Sequence, residues 1–231
     1  MNKNHKALKR VPIRLFAGTT EAAYGVKTAI NKKRIMTSIY LSELGLDGDE
    51  CADPKNHGGL DRALHHYPEE HYSFWEMKYG INAQDWKAPG MGENISSKGM
   101  TEDLVHIGDR YQLGETVVEI SQPRSPCFKL NKRWQQEDIS AVMQNISYCG
   151  WLYRVIQPGI VECNSELMLL ERDTGSLSVK DVCDAFFGDP LNVGGLSKLM
   201  ELRALSSSWL DKVESRLKNR EVENWSRRLQ G

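Results

Sequence analysis

HIGDRYQLGETVVEI, residues 106–120, carries the pattern that decides the fold. Its apolar and β-branched residues come in short runs, broken at Gly108-Asp109 and again at Gly114. Such spacing predicts strand, tight Gly-Asp turn, strand, Gly turn, strand. The same rhythm recurs on both sides. Downstream, WLYRVIQPGIVECNSELMLLER (151–172) is punctuated by Pro158-Gly159 and Asn164-Ser165. Upstream, VPIRLFAG (11–18) and RIMTSIYL (34–41) are short apolar runs closed by Gly or polar residues, and LGLDGDE (44–50) is a turn cluster. Helical signals are few. PEEHYSFWEMKYG (68–80) offers Pro68, Glu69 and Glu70 for a first turn, Tyr72, Trp75 and Tyr79 for one face, and Gly80 for the stop. DISAVMQNI (138–146) predicts a short helix capped by Asp138. Many short strands with only one or two inserted helices imply a mainly β chain, a β-barrel and not a parallel α/β sheet.

The period changes after Asp173-Thr174-Gly175. LSVKDVCDAFF puts Val179, Val182, Ala185 and Phe186 on one helical face, with Ser178 and Asp181 as a capping pair. Val193, Leu196, Leu199 and Met200 mark a second helix; Leu205, Trp209, Val213 and Leu217 mark a third. Three short amphipathic helices in about 45 residues make a small satellite domain.

The 231 residues carry a net charge of −1, so no overall electrostatic footprint for nucleic acid exists. Residues 201–231 hold seven Lys or Arg against five acids, too even a balance for a DNA-binding helix-turn-helix. The basic start of the chain, residues 1–10, reads as a frayed, solvated tail. No apolar run reaches the ~18 residues of a membrane span, and the first ten residues lack the apolar core of a secretory signal, so a cytoplasmic location is expected. Five cysteines (51, 127, 149, 163, 183), widely spaced and without CxxC, read as thiols, with no disulfide framework or structural zinc site.

One thiol stands apart. SQPRSPCFKLN (121–131) fixes Cys127 on a turn stiffened by Pro123 and Pro126, with Arg124 and Lys129 close by. Nearby cations favour the thiolate, the form that attacks electrophiles and binds soft metals. A buried filler thiol is the plain alternative. KNHGGLDRALHHYP (55–68) is a second dense stretch: Gly58 and Gly59 let the backbone approach a ligand, and Lys55, His57 and Arg62 supply cationic donors suited to phosphate. Asp61 would orient Arg62 or accept from a polar heterocycle. In MGENIS (91–96), Asn94 offers a donor and an acceptor to an amide or pteridine edge. His65, His66 and His71 with Glu69 and Glu70 match no zinc-binding spacing, and packing explains them as well.

Taken together, KNHGGLDRALHHYP, GEN, and SQPRSPCFKLN followed by GWLYRV resemble the MOSC-domain proteins, specifically their YiiM-like branch, in order and spacing over nearly the whole chain. The resemblance implies a MOSC-type β-barrel over 12–172, a three-helix domain over 177–219, and binding of the molybdenum cofactor, a pterin whose dithiolene holds the metal. It makes Cys127 the protein sulfur ligand to molybdenum and the catalytic centre. His57, Gly58, Gly59, Asp61, Arg62, Asn94, Arg124 and Ser125 become contacts to the pterin and its phosphate. Asn56 stands where many relatives carry a second histidine. The branch is associated with reductive detoxification of N-hydroxylated bases and related compounds, which implies oxygen removal from an N–OH group to give the amine. The chain shows no cysteine cluster for an iron–sulfur centre and no GxGxxG fingerprint, so electrons are expected from a separate reductase. The helical domain would dock that reductase or form a homodimer; no nucleic acid or membrane partner is expected.

Two other readings remain open on sequence alone. Cys127 would carry a persulfide in a sulfur carrier for molybdenum-cofactor metabolism. Alternatively it would act as a nucleophile beside His57 or His106.

Overall fold

A computed structural model of the chain describes residues 10–80 and 85–231. Seven strands close into a barrel: β1 (Arg10–Ala17), β2 (Leu64–Pro68), β3 (Ile95–Ser97), β4 (Arg110–Leu113), β5 (Thr116–Pro123), β6 (Trp151–Gln157) and β7 (Glu166–Glu171). Their spatial order is β7-β4-β5-β6-β2-β3-β1, and β1 pairs back onto β7. Closure gives each of these seven strands a neighbour on both sides. All pairs are antiparallel except β2 with β3, where His66 lies opposite Ile95. Leu15, Leu64, Leu113, Val118, Ile120, Tyr153 and Leu167 fill the core.

The deciding hairpin is present, with Thr116 opposite Leu113 across the Gly114 turn. Its expected first strand is not. His106 makes a single bridge, to Ser178 of the helical domain, because Asp109 turns back to cap the His106 N–H at 2.9 Å. Residues 34–41 are likewise split into Lys33–Arg34 and Ile39–Ser42, the latter in a small sheet with Gly45–Leu46 and Gly159–Val161. Of the frayed tail expected over 1–10, residues 1–9 lie outside the described residues, and Arg10 is already strand, opposite Met168.

Among the described residues four short α-helices and a 3-10 turn (Leu60–Arg62) are inserted in the barrel, more than the one or two helices expected: α1 (Pro54–His57), α2 (His71–Tyr79), α3 (Lys129–Trp134) and α4 (Ile139–Asn145). Pro68 ends strand β2 instead of opening α2. The Asp138 carboxylate accepts from the Tyr79 hydroxyl at 2.8 Å and makes no capping bond to α4.

The C-terminal helices are α5 (Val179–Cys183), continuing as a π turn over Asp184–Gly188, then α6 (Val193–Met200), α7 (Ser207–Asn219) and α8 (Ser226–Leu229), the last not foreseen. The Ser178–Asp181 capping box forms as expected. Leu196, Leu199, Trp209 and Val213 are buried, while Val193 and Met200 are exposed. These helices are sewn to the barrel: the Ser206 N–H donates to the Ser121 carbonyl at 2.9 Å, and the Val179 N–H to Val105 at 2.9 Å.

Candidate functional site

A cavity of about 940 Å³ lies between one end of the barrel and the C-terminal helices. That volume suits a phosphorylated bicyclic ligand with room beside it. His57, Gly58, Arg62, Asn94, Arg124, Ser125 and Cys127 all line it, so three stretches separated in sequence meet at one place. Gly59 and Asp61 do not line it. The Asp61 carboxylate instead receives Arg154 Nε at 2.7 Å, outside the cavity.

Local structure explains how each group is delivered. Asp53 caps α1 by accepting the Asn56 N–H at 3.2 Å, Pro54 opens that helix, and His57 emerges at its end. Gly58 must be glycine there, since a Cβ would stand 2.9 Å from the Pro54 carbonyl oxygen. Gly59 follows with φ 109°, a conformation L side chains rarely adopt. Asn56 turns its amide back to Asp53 at 2.8 Å and offers its carbonyl to Arg62, whose other nitrogen donates to Ser208 of α7 at 3.1 Å. Strand β5 feeds the Arg124–Cys127 loop, and the Arg124 N–H donates to the Gly150 carbonyl at 3.0 Å.

Cys127 is buried, at 7 % exposure. Burial alone pushes its thiol pKa up. A hydrogen bond from His57 and the charges of Arg124 and His57 outweigh that and bring it down to about 7. The thiolate is therefore favoured beyond that of an ordinary cysteine, and the side chain lines the cavity. His106, the other base considered for a cysteine nucleophile, is held by the Ser176 carbonyl at 3.0 Å and lines no part of this cavity.

Eight Lys or Arg side chains line the cavity against three carboxylates, which suits an anion. One pair cancels internally, since Lys32 is bridged to Asp49. Asn94 has both amide atoms engaged by protein: Oδ1 accepts the His65 N–H at 3.1 Å, while Nδ2 donates to Asp49 at 2.8 Å and to the Phe16 carbonyl at 3.2 Å. It braces the wall more than it offers groups to a ligand.

Several lining residues carried no usable signal in the sequence. His65 and Gln122 are buried in the wall, and His65 Nε2 and Gln122 Oε1 have no hydrogen-bond partner. Trp209, Lys212, Arg227 and Arg228 come from the helical domain, so that domain forms part of the site. Cys51, exposed, places a second thiol on the same cavity. The other histidines have separate engagements: His66 lies between Tyr153 and Ser97 at 3.1 and 2.9 Å, and His71 pairs with Glu102 at 2.6 Å. Among the described residues no helix is long and apolar enough to cross a membrane.

Comparison with known proteins agrees with this architecture. The MOSC domain family matches residues 53–168, and the YiiM-like 3-alpha helix domain matches residues 177–220. The chain is 40 % identical to Protein YiiM of Escherichia coli (strain K12), over 96 % of this chain and 99 % of that one. It is 31 % identical to a protein of Gibberella moniliformis (strain M3125 / FGSC 7600) named Reductase, over 84 % of this chain but only 34 % of that longer one. The crystal structure of YiiM from Escherichia coli superposes with a TM-score of 0.84 at 35 % identity, covering 96 % of this chain and all of that one.

Proposed function

The chain belongs to the MOSC-domain family, and from that membership and the chemistry of the cavity we propose that it is a molybdenum-cofactor-dependent reductase of N-hydroxylated bases or related N-hydroxylated compounds, supplied with electrons by a separate reductase. The observation that carries this reading is the poised thiol of Cys127 in the wall of a large cation-lined cavity. The residues present fit the cofactor. A soft thiolate suits a metal already held by sulfur. The cationic surplus suits a phosphate, and the unpartnered Nε2 of His65 and Oε1 of Gln122 suit the polar edge of a heterocycle. The MOSC family's association with this cofactor and the name of the Gibberella relative point the same way.

Cys127 would ligate the metal, with His57 and Arg124 keeping it ionised. Arg62, Lys212 and Arg227 would neutralise the phosphate, and Gly58 would admit the ligand close to the backbone. Trp209 and Phe128 add aromatic surface that excludes water. When bound, the cofactor would supply the two-electron chemistry of oxygen removal from N–OH. The chain's own part is to bind, orient and hold the thiolate.

Molybdenum and pterin should be measured in protein made in cells able to synthesise the cofactor, wild type beside Cys127→Ala. Stoichiometric amounts in the wild type, lost or loosened in the variant, are expected. No pterin in either, even after reconstitution, would overturn the reading. The need for a partner is tested by adding substrate and NAD(P)H to the loaded protein alone, where no turnover is expected.

A persulfide carrier is the second reading, favoured by a thiol whose pKa is brought down to about 7 and that shares its cavity with Cys51. A mass increase of one sulfur on Cys127 without bound molybdenum would support it.

A further inference from the structure

Arg228 holds both peptide groups that flank Cys127. Its backbone carbonyl accepts the Phe128 N–H at 2.8 Å, and its guanidinium Nη1 donates to the Pro126 carbonyl at 2.5 Å. Nη2 reaches Gln144 Oε1 at 2.5 Å, which ties the same side chain to α4. The residue after it reinforces the grip: the Leu229 carbonyl accepts from Asn131 Nδ2 at 3.0 Å and from Ser140 Oγ at 3.1 Å. Gly231 lies so close over Phe128 that a Cβ there would come within 3.2 Å of the ring.

The Cys127 loop leaves strand β5 at Pro123 and enters α3 at Lys129, and Pro126 brings no N–H of its own. The groups on either side of the thiol are therefore fixed from outside the loop, by a segment a hundred residues further along. That segment is anchored in turn. Trp225 packs edge-on against Phe187 at 5.7 Å and donates to Glu223 at 3.0 Å, and the buried Arg216 grips Glu223 with two bonds of 2.9 and 2.7 Å. A continuous series of contacts thus runs from the core of the helical domain to the thiol.

We propose that Arg228 is a positioning residue for Cys127, and that residues 225–231 clamp the thiol loop in its place on the cavity wall. The inference rests on Cys127 being the working thiol of the proposed function. It gives the helical domain a task inside the site, besides whatever its outer surface binds.

The test is alkylation of Cys127 by iodoacetamide in the purified full chain, followed by peptide mass. Wild type, Arg228→Ala and Arg228→Lys are compared at about pH 9.5, where the thiol is ionised in all of them and loss of the guanidinium charge no longer matters. The partly exposed Cys163 serves as internal reference. With Arg228→Ala, Cys127 should react about tenfold faster at an unchanged Cys163 rate, because the loop now opens locally. Added methylguanidinium should return the rate toward wild type, and Arg228→Lys, which keeps one donor for Pro126, should fall between. A Cys127 rate within about twofold of wild type in a folded Arg228→Ala protein would overturn the proposal, as would equal acceleration at Cys163. Should Arg228→Ala fail to fold, Arg228→Lys and Gln144→Ala decide the matter by the same ratio. Molybdenum content of the wild type reads out the cofactor separately, so failure of that reading is distinguishable from failure of the clamp.

Discussion

The side-chain amide of Asn94 donates to the Asp49 carboxylate at 2.8 Å, across 45 positions of sequence, while its oxygen receives the backbone N–H of His65 at 3.1 Å. One buried amide therefore joins the turn after the 45–46 strand, strand β2 and strand β1 beneath the cavity. Replacing it leaves a carboxylate, a backbone N–H and the Phe16 carbonyl short of a partner. Asn94→Ala should cost about 2–4 kcal/mol of stability. Urea unfolding checks this, and ligand binding should fall only as far as the wall is disturbed. An unchanged unfolding midpoint with lost ligand binding would instead make Asn94 a direct contact.

Cys127 makes the second prediction, for protein free of metal. Its alkylation rate should follow a titration with a midpoint of about 7. His57→Ala removes the neighbouring imidazole that favours the thiolate, and Arg124→Gln removes a neighbouring positive charge. Either leaves burial less opposed, so the midpoint should rise toward or above the ordinary thiol range and the rate at pH 7 should fall severalfold. An unchanged profile in His57→Ala would separate the imidazole from the thiol.

Much of the barrel was legible because strand period and turn chemistry are local. The Thr116–Leu113 hairpin and the Pro158-Gly159 break both appear where the sequence puts them. The errors come from partners far along the chain. His106 lies in a β-like run, yet its bridge is to Ser178, 72 positions on, and Asp109 turns the backbone away. Asp61 sits beside Arg62 in sequence, yet its carboxylate goes to Arg154 on strand β6. The site divides in the same way. Cys127, His57, Arg62 and Arg124 carry recognisable chemistry in short motifs, whereas His65 and Gln122 are strand residues whose importance lies in an unpaired atom facing no partner. Lys212 and Arg228 look like solvated helix charges until the packing of the C-terminal helices turns them to the cavity.

Glu93 provides the pH dependence. It is fully buried, and burial raises its carboxyl pKa to about 7 even though Tyr72 donates to it at 2.6 Å and the Met91 N–H at 3.0 Å. Between the ordinary value near 4.5 and about 7 the folded state holds a proton that the unfolded state has released. Stability contributed by this group is therefore full at low pH and is lost as pH rises through that window. Glu93→Gln should flatten the change in unfolding free energy between pH 5 and pH 8, measured by urea titration. An equally steep change in the variant would place the proton elsewhere.

Lys212 stands on α7 in the cavity wall opposite the barrel; partial burial lowers its pKa, the Glu223 carboxylate opposes that, and the charges of Arg62, Arg228 and Arg216 lower it further. With three arginines against one carboxylate around Lys212, and eight Lys or Arg against three carboxylates on the cavity wall, the surplus of positive charge favours an anion there. Lys212→Glu reverses the sign on the helical side of the cavity without touching the barrel. Affinity of the metal-free protein for pyrophosphate, used as the probe, should fall about tenfold or more in that variant. The wild-type affinity should weaken as ionic strength rises, and the variant's less steeply, because fewer cations remain to be screened. Isothermal titration at two salt concentrations decides it. Equal affinities would mean that the anion is met by Arg62 and Arg124 alone, leaving the helical domain outside the phosphate site.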